Sequence, residues 1–335
     1  MELGKIEKIL VDEPSYRMKQ VERALYRDLI DSWGEATNLP VPLRAKLEKE
    51  VPVSFNFNSL TSLEGNSVKA IIELIDGFKI ESVLMQHTDG RNTVCVSSQV
   101  GCPLGCIFCS TGKIGFLRNL DYHEIIEQVL FFSYYLKKIG KILNNVVFMG
   151  MGEPFLNYDN VIKAIRILND GEKFNIGARH ISVSTAGISG GIKKLADEKL
   201  QVNLAVSLNA PNDILRRKIM PVDFKYPVQE VISTVGLYIK KTGRRVMFEY
   251  VMLRDLNDSD ILAEQLAGLL KDMLCFVNII PYNGSENNLK PSTRDRINRF
   301  KKIIKESGIT VTERFRFGDD INAACGQLVY RKSSS

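Results

Sequence analysis

Between residues 93 and 308 the chain alternates two hydrophobic rhythms. The first is the short apolar run of a buried strand, seen in TVCVSS, NVVFM, HISVS, VNLAVSL, RVMFEYVM and CFVNII. The second places apolar residues three and four apart, as a helix with one buried face requires. It is seen in DYHEIIEQVLFFSYYLKK, YDNVIKAIRIL, VQEVISTVGLYIKK, DSDILAEQLAGLLKDM and RDRINRFKKIIKESG. Strands that alternate with helices in series predict parallel strands joined by right-handed crossovers. Six βα units fall short of the eight of a closed barrel. The expected fold class is therefore α/β, a partial (β/α)6 barrel that stays open.

The first 92 residues read differently. In YRMKQVERALYRDLIDSW, Met18, Val21, Leu25 and Leu29 recur at helical spacing among Arg and Lys. In SVKAIIELIDGFKIESVLMQ, Asp76-Gly77 sits between two strand-like runs, a hairpin signal. The expected division is a helical accessory domain at 1–55, a linker and β-hairpin at 56–92, the barrel core at 93–330, and a frayed tail at 331–335.

Composition adds limits. A chain of 335 residues with 44% hydrophobic and 25% charged content can bury a core. No apolar run reaches the ~20 residues of a membrane span. The first twenty residues carry charge where an export leader would be apolar, so a cytoplasmic protein without a membrane partner is expected. Six cysteines in such a chain point to thiols and metal ligands rather than a disulfide scaffold. A net charge of +6 leans mildly toward polyanions.

Each strand-like run is followed by a polar, Gly/Pro/Asn-rich turn: the cysteine loop, GMGEP, TAG, NAPND, LRDLND and PYN. In a barrel these turns lie on the C-terminal edge, where active sites are built. Any one of them could be a bland connector; five beside a cysteine cluster favour a site. In VGCPLGCIFC, Cys102, Cys106 and Cys109 fall within eight residues. A zinc site wants four ligands, and His87, His123 and His180 are not spaced to complete one. Cys275, opening an apolar run, reads as core. An iron–sulfur cluster takes thiolates, and three of them leave one iron of a cubane open.

The CxxxCxxC spacing is similar to that of radical S-adenosylmethionine (SAM) enzymes. That resemblance implies one 4Fe-4S cluster on Cys102, Cys106 and Cys109. SAM would chelate the open iron and be cleaved to a 5′-deoxyadenosyl radical. GMGEP resembles the loop that holds the SAM amine, with Gly152 allowing close backbone approach and Glu153 holding the cationic group. Ser184 would meet the SAM carboxylate or ribose. Ser207, Leu208, Asn209 and Asn283 would meet ribose and adenine.

A closer resemblance follows from CVSSQVGCPLGCIFCSTGKIGFLRNL, FMGMGEPFLN, SLNAPND, YVMLRDLND and GDDINAACGQL in this order. Together they resemble the RlmN/Cfr family of radical SAM adenosine methyltransferases, from about residue 81 to 330. EPSYRMKQ is similar to the family's N-terminal adapter, which would bind RNA. The resemblance implies methylation of an adenosine of 23S ribosomal RNA at the peptidyl-transferase centre and of the adenosine 3′ of the anticodon in tRNAs. Pro154 after Glu153 favours carbon 2 over carbon 8. Cys325 would take a methyl group from one SAM, a second SAM would yield the radical, and Cys95 would release the product through a transient disulfide. Glu81 aligns with the proton acceptor. Reduced flavodoxin is the implied electron donor and a monomer the implied state.

The chain departs from the family pattern at Asn209, where His is usual, and in NGSENNLKPST after Asn283. Read on its own, Glu81 could be a surface carboxylate of the hairpin, and so could Glu153 after its turn. RNA contacts are expected from Arg17, Lys19 and Arg23, and from basic stretches at 216–218, 240–245 and 301–305. Three rivals remain at this level: a Cfr-like carbon-8 enzyme, a non-catalytic iron–sulfur RNA-binding protein, and a sulfur-inserting radical SAM enzyme. The last would want a second cluster, for which the other cysteines are too scattered.

Overall fold

The computed structural model describes residues 1–55, 57–221, 226–284, 288–315 and 317–328. The tail at 331–335 and part of NGSENNLKPST lie outside the described residues.

Three helices begin the chain: α1 (Leu3–Ile9), α2 (Tyr16–Arg23) and α3 (Val41–Glu50). The single helix expected beyond residue 16 does not continue. It passes into a π-helical turn at Ala24–Asp28 and stops at Leu29, whose φ is 49°. Trp33 is fully buried and donates its ring N–H to the Val51 carbonyl at 2.7 Å, so the chain folds back on α3.

Three antiparallel strands follow, β1 (Phe57–Thr61), β2 (Ser67–Glu73) and β3 (Lys79–Gln86), and β3 then pairs antiparallel with β4 (Asn92–Cys95). The turn between β2 and β3 is the expected Asp76-Gly77, with Gly77 at φ 78°. A two-stranded ribbon, β5 (Gln99–Gly101) with β6 (Phe116–Asn119), brackets the cysteine loop and α4 (Ser110–Ile114).

The core then runs α5 (Tyr122–Lys138), β7 (Asn145–Phe148), α6 (Tyr158–Asn169), β8 (Ile181–Thr185), α7 (Ser189–Asp197), β9 (Asn203–Ser207), α8 (Asp213–Ile219), α9 (Val228–Thr242), β10 (Val246–Met252), α10 (Asp260–Leu270), β11 (Cys275–Pro281), α11 (Arg294–Glu306) and β12 (Thr310–Glu313). Local chemistry sets these ends. The Asp121 carboxylate accepts the His123 N–H at 2.9 Å, and Glu124 accepts the Asp121 N–H at 2.9 Å, a reciprocal cap that starts α5. Lys137 and Lys138 close it against the helix dipole.

Among the described residues the main sheet has ten strands, ordered β1-β2-β3-β4-β7-β8-β9-β10-β11-β12. Every pairing from β4 to β12 is parallel. The six expected parallel strands are present in the expected order, and β12 adds a seventh. The sheet remains open, with β1 and β12 at its edges. No helix among the described residues is long and apolar enough to cross a membrane.

Alternation sorts the core strands into two faces. Val94, Val146, Phe148, Val183, Leu204, Val206, Phe248, Val277 and Ile279 are buried in the main apolar core. The other face carries Thr93, Cys95, Asn145, Ser182, Asn203 and Met247, which line one cavity of about 490 Å³. Barrel interiors are usually filled with branched apolar side chains. This one is hollow, with polar side chains set among the apolar ones that line it.

Candidate active site

The cysteine loop is held on every side by backbone. Cys102 N–H donates to Gly115 O (2.9 Å), Ile107 N–H to Ile219 O (3.0 Å) and Ser110 N–H to Gly326 O (2.7 Å). Gly101 precedes Cys102 with φ 75°, and a Cβ there would stand 1.8 Å from Gly115 O, so only glycine lets β5 and β6 meet. Burial pushes the Cys102 thiol up to about 12 and the Cys106 thiol well above its usual range, and neighbouring thiolates push the same way. Such a set ionises when a cation shares its negative charge. No three His, Cys, Asp or Glu side chains among the described residues close on a single ion. Thiolates are the usual ligands of an iron–sulfur cluster, in which each binds a separate iron.

Glu153 is not a surface carboxylate. It is buried at 3% exposure, and burial raises its pKa to about 7. It accepts the Phe155 N–H at 3.0 Å and the Ala186 N–H at 2.7 Å. A carboxylate has about four acceptor positions, which leaves room for an ammonium donor. Gly152 sits at φ 100°, and a Cβ there would be 2.5 Å from Gln99 Cβ. Glycine is thus demanded by the protein's own packing, and Gln99 in turn accepts the Glu153 N–H at 2.8 Å. Asn283 Oδ1 is buried without a hydrogen-bond partner, and Asn283 lines the cavity. A buried orphan acceptor is costly, and an amine or hydroxyl of a bound nucleoside would satisfy it. The residues fit SAM.

Ser184 and Ser207 both donate to one carboxylate oxygen of Glu249, at 2.7 and 3.1 Å. Leu208 is fully buried, with its N–H on the Glu249 carbonyl at 3.1 Å. Asn209 explains its departure from the family pattern. Its φ is 58°, a left-handed conformation that Asn tolerates better than most residues. Its side-chain oxygen accepts the buried Val251 N–H at 2.9 Å.

Cys95 ends β4, and Cys325 lies on the loop after β12; both thiols are free and both line the cavity. They are near enough that charge on Cys325 raises the Cys95 thiol, which burial already pushes up to about 12. The Cys325 loop is tied down just after the cysteine. Thr111 donates to Leu328 O at 2.6 Å, and Gln327 donates to Asn283 O at 3.3 Å. Cys325 itself is open to the cavity. Burial around it raises its thiol, and Arg314 opposes this, with its guanidinium 3.4 Å from the sulfur. Arg314 is in turn held by Glu249 at 2.8 Å.

Glu81 is not a surface hairpin residue either. It is 4% exposed and pairs with buried Lys69 at 3.2 Å. It shares a sheet face with Val83, which lies opposite Cys95. It is not among the residues lining the cavity.

The basic stretch at 216–218 needs correction. Arg216 is fully buried and does not reach solvent or RNA. It donates to the carbonyls of Leu208 (3.2 Å), Tyr226 (2.7 Å) and Ala186, clamping two loops of the site. The other stretches are partly neutralised: Lys301 pairs with Glu313 at 2.7 Å, and Lys241 pairs with Asp197.

Residues 96–264 match the radical SAM superfamily. The chain is 47% identical over 326 residues to a Dictyoglomus thermophilum protein named "Probable dual-specificity RNA methyltransferase RlmN", covering 96% of this chain and 93% of that one. It is 40% identical to the "Ribosomal RNA large subunit methyltransferase N" of Nitrosopumilus maritimus, over 96% of this chain and 95% of that one. A crystal structure of a radical SAM methyltransferase from Sphaerobacter thermophilus superposes with a TM-score of 0.91 at 43% identity, covering 98% of this chain and 97% of that one. The chain belongs to the RlmN family of radical SAM RNA methyltransferases. SAM and an iron–sulfur cluster are therefore its cofactors, and RNA is its substrate.

Two residues of this RlmN-type site escaped sequence reading. Glu249 joins Ser184, Ser207 and Arg314, and Arg314 joins Glu249 to Cys325. A signal for Glu249 exists: it is the one acidic residue in the run RVMFEYVM. Arg314 has none, since it follows a short strand that was itself missed.

Proposed function

We propose that this RlmN-type enzyme methylates carbon 2 of an adenosine in 23S ribosomal RNA at the peptidyl-transferase centre, and of the adenosine 3′ of the anticodon in tRNAs, through a methyl group carried on Cys325. The observation that supports it most is the meeting of Cys95 and Cys325, from opposite ends of the barrel sequence, on one cavity beside the cysteine loop. A non-catalytic RNA binder has no use for that pair. Pro154 supports carbon 2; it opens the short 3-10 helix Pro154–Asn157 directly after Glu153.

When bound, a 4Fe-4S cluster on Cys102, Cys106 and Cys109 supplies an electron, and two SAM molecules per turnover supply the methyl group and the hydrogen-abstracting radical. The protein's own groups do the rest. Glu153 holds a cationic amine, while Ser184, Ser207, Leu208, the Asn209 backbone and Asn283 line the nucleoside. The Arg314 guanidinium favours the thiolate of Cys325, the form that accepts a methyl group. Once the methyl carbon is bonded to adenine, Glu81, paired with Lys69 just behind the cavity-lining Val83, is the group that would take the ring proton. Cys95 then attacks the Cys325 sulfur. The S–S bond forms and the C–S bond breaks with its electron pair passing to the methylene carbon, which takes up a proton and leaves as the methyl group of the base. Reduced flavodoxin as donor, a monomeric state and a cytoplasmic site complete the reading.

The test is nucleoside mass spectrometry of 23S RNA and tRNA from cells with and without the protein. We expect 2-methyladenosine in both RNAs, lost on deletion. Finding 8-methyladenosine alone would overturn the carbon-2 assignment, and finding neither would favour a binding role.

A further inference from the structure

The cavity does not end where the cofactor residues do. Its C-terminal end is walled by Cys109, Gly150 and Asn283, and it continues through the barrel to the N-terminal ends of the strands. There its rim carries Arg91, Arg179 and His180, which stand just before β4 and β8, and Asn145 and Asn203, which open β7 and β9. Hydrogen bonds fix this rim. Thr93 Oγ1 lies 3.0 Å from His87 Nε2 and 3.2 Å from Asn145 Nδ2, Asn145 Oδ1 lies 2.8 Å from His180 Nδ1, and Asn203 donates to Arg179 O at 2.7 Å. A polar ring of this kind lines an opening.

Beside the rim stand three rings. Phe315 and Phe317 meet with centroids 4.9 Å apart at 63°, and Phe317 meets His87 at 4.9 Å and 72°. Phe317 and His87 are partly covered, whereas Phe315 is 65% exposed. Its backbone is anchored by the preceding Arg314, which is bound to Glu249 and Cys325 inside the cavity. A large aromatic held open at the mouth of a cavity, with Arg179 and the Arg91 guanidinium, which pairs with exposed Asp89 at 2.8 Å, on the same rim, matches the two faces of a nucleotide. Bases stack on aromatic rings, and phosphates pair with Arg.

We propose that Phe315, backed by Phe317 and His87, is the stacking platform for the nucleotide next to the target adenosine, with Arg91 and Arg179 taking its phosphates. RNA then enters through the N-terminal mouth, opposite the cofactor end, and the flipped adenosine reaches down to Cys325. This rests on the reading that the cavity receives the adenosine.

The experiment is a binding cycle on the cluster-loaded enzyme, read by fluorescence anisotropy without turnover. The probes are an RNA hairpin carrying the target adenosine and two versions made abasic at either neighbouring position. Phe315→Ala should weaken binding of the intact hairpin about ten- to a hundredfold, the loss of one stacked base. One abasic hairpin should bind the wild type weaker by a similar factor and show no further loss with the variant. Phe315→Leu, which keeps apolar bulk, should behave as Ala does, and iron content equal to wild type shows that both variants fold. Arg91→Gln should lower the salt slope of binding by about one. Equal losses on all three RNAs, or none, would overturn the platform; the latter would leave Phe315 as a contact for another protein. Failure of the carbon-2 reading shows separately, in the product made by the wild type.

Discussion

Asn209 offers a sharp test of how the loop after β9 is built. Replacing it with alanine removes the acceptor of the Val251 N–H, held at 2.9 Å in a site where Asn209 is 1% exposed. A buried donor left unpaired costs about 1–3 kcal/mol. Alanine must also adopt φ 58°, which adds about 1–2 kcal/mol. The sum is about 2–5 kcal/mol. Asn209→Gly suffers only the first loss, about 1–3 kcal/mol, because glycine accepts the left-handed backbone. At this chain length a kcal/mol moves Tm by about 2 °C. Asn209→Ala should therefore melt about 4–10 °C below wild type, and Asn209→Gly about 2–6 °C below. Circular dichroism at one scan rate on anaerobic holoprotein reads both. Equal Tm values for Ala and Gly would refute the strain argument, and wild-type Tm for both would refute the hydrogen bond as well. Since the proposed cofactor contact is through backbone, Asn209→Gly should retain SAM binding.

Arg216→Met should destabilise by about 3–5 kcal/mol, since two buried carbonyls and one partly buried carbonyl lose a charged donor; its RNA salt slope should stay at the wild-type value, and loss of a full unit would place the guanidinium on a phosphate after all. SAM binding should depend on pH through Glu153, whose pKa is about 7. As pH falls below that value the carboxyl gains a proton and its attraction for an ammonium is lost, so affinity should drop, approaching about tenfold per unit. Equilibrium dialysis across pH 5 to 8 reads this. Glu153→Gln should flatten the profile, and affinity rising on acidification would contradict the role.

What the sequence hid has physical causes. The six core strands and the Asp76-Gly77 hairpin were legible because buried strands are continuous apolar runs and the turn chemistry is local. The strand β12 was not, since TVTE buries only Val311. Helix α7 was masked by Gly190 and Gly191, and Gly191 is there for packing: a Cβ would lie 2.5 Å from the Phe155 ring. The three cysteines proposed to hold the cluster stand out by their spacing. Cys325 carried meaning only through resemblance, because its partners, Arg314 just after β12 and Cys95 at the end of β4, come from other parts of the chain. Arg216 was misread as a surface charge: a run of basic residues reports charge, and burial is decided by carbonyls distant in sequence.

The central claim is that Cys325 carries the methyl group and Cys95 resolves the adduct, and the two alanine variants separate these roles. Cys95→Ala keeps the acceptor and lacks the resolving thiol, so it should accumulate a covalent protein–RNA species joined through a methylene on Cys325. Cys325→Ala lacks the sulfur that would form the bridge and should give none. The measurement is a denaturing gel of each variant after expression, with and without ribonuclease, followed by mass spectrometry of the crosslinked peptide. A ribonuclease-sensitive band in Cys95→Ala alone, mapping to Cys325, is the predicted result. A crosslink in Cys325→Ala, or none in either variant, would contradict the account.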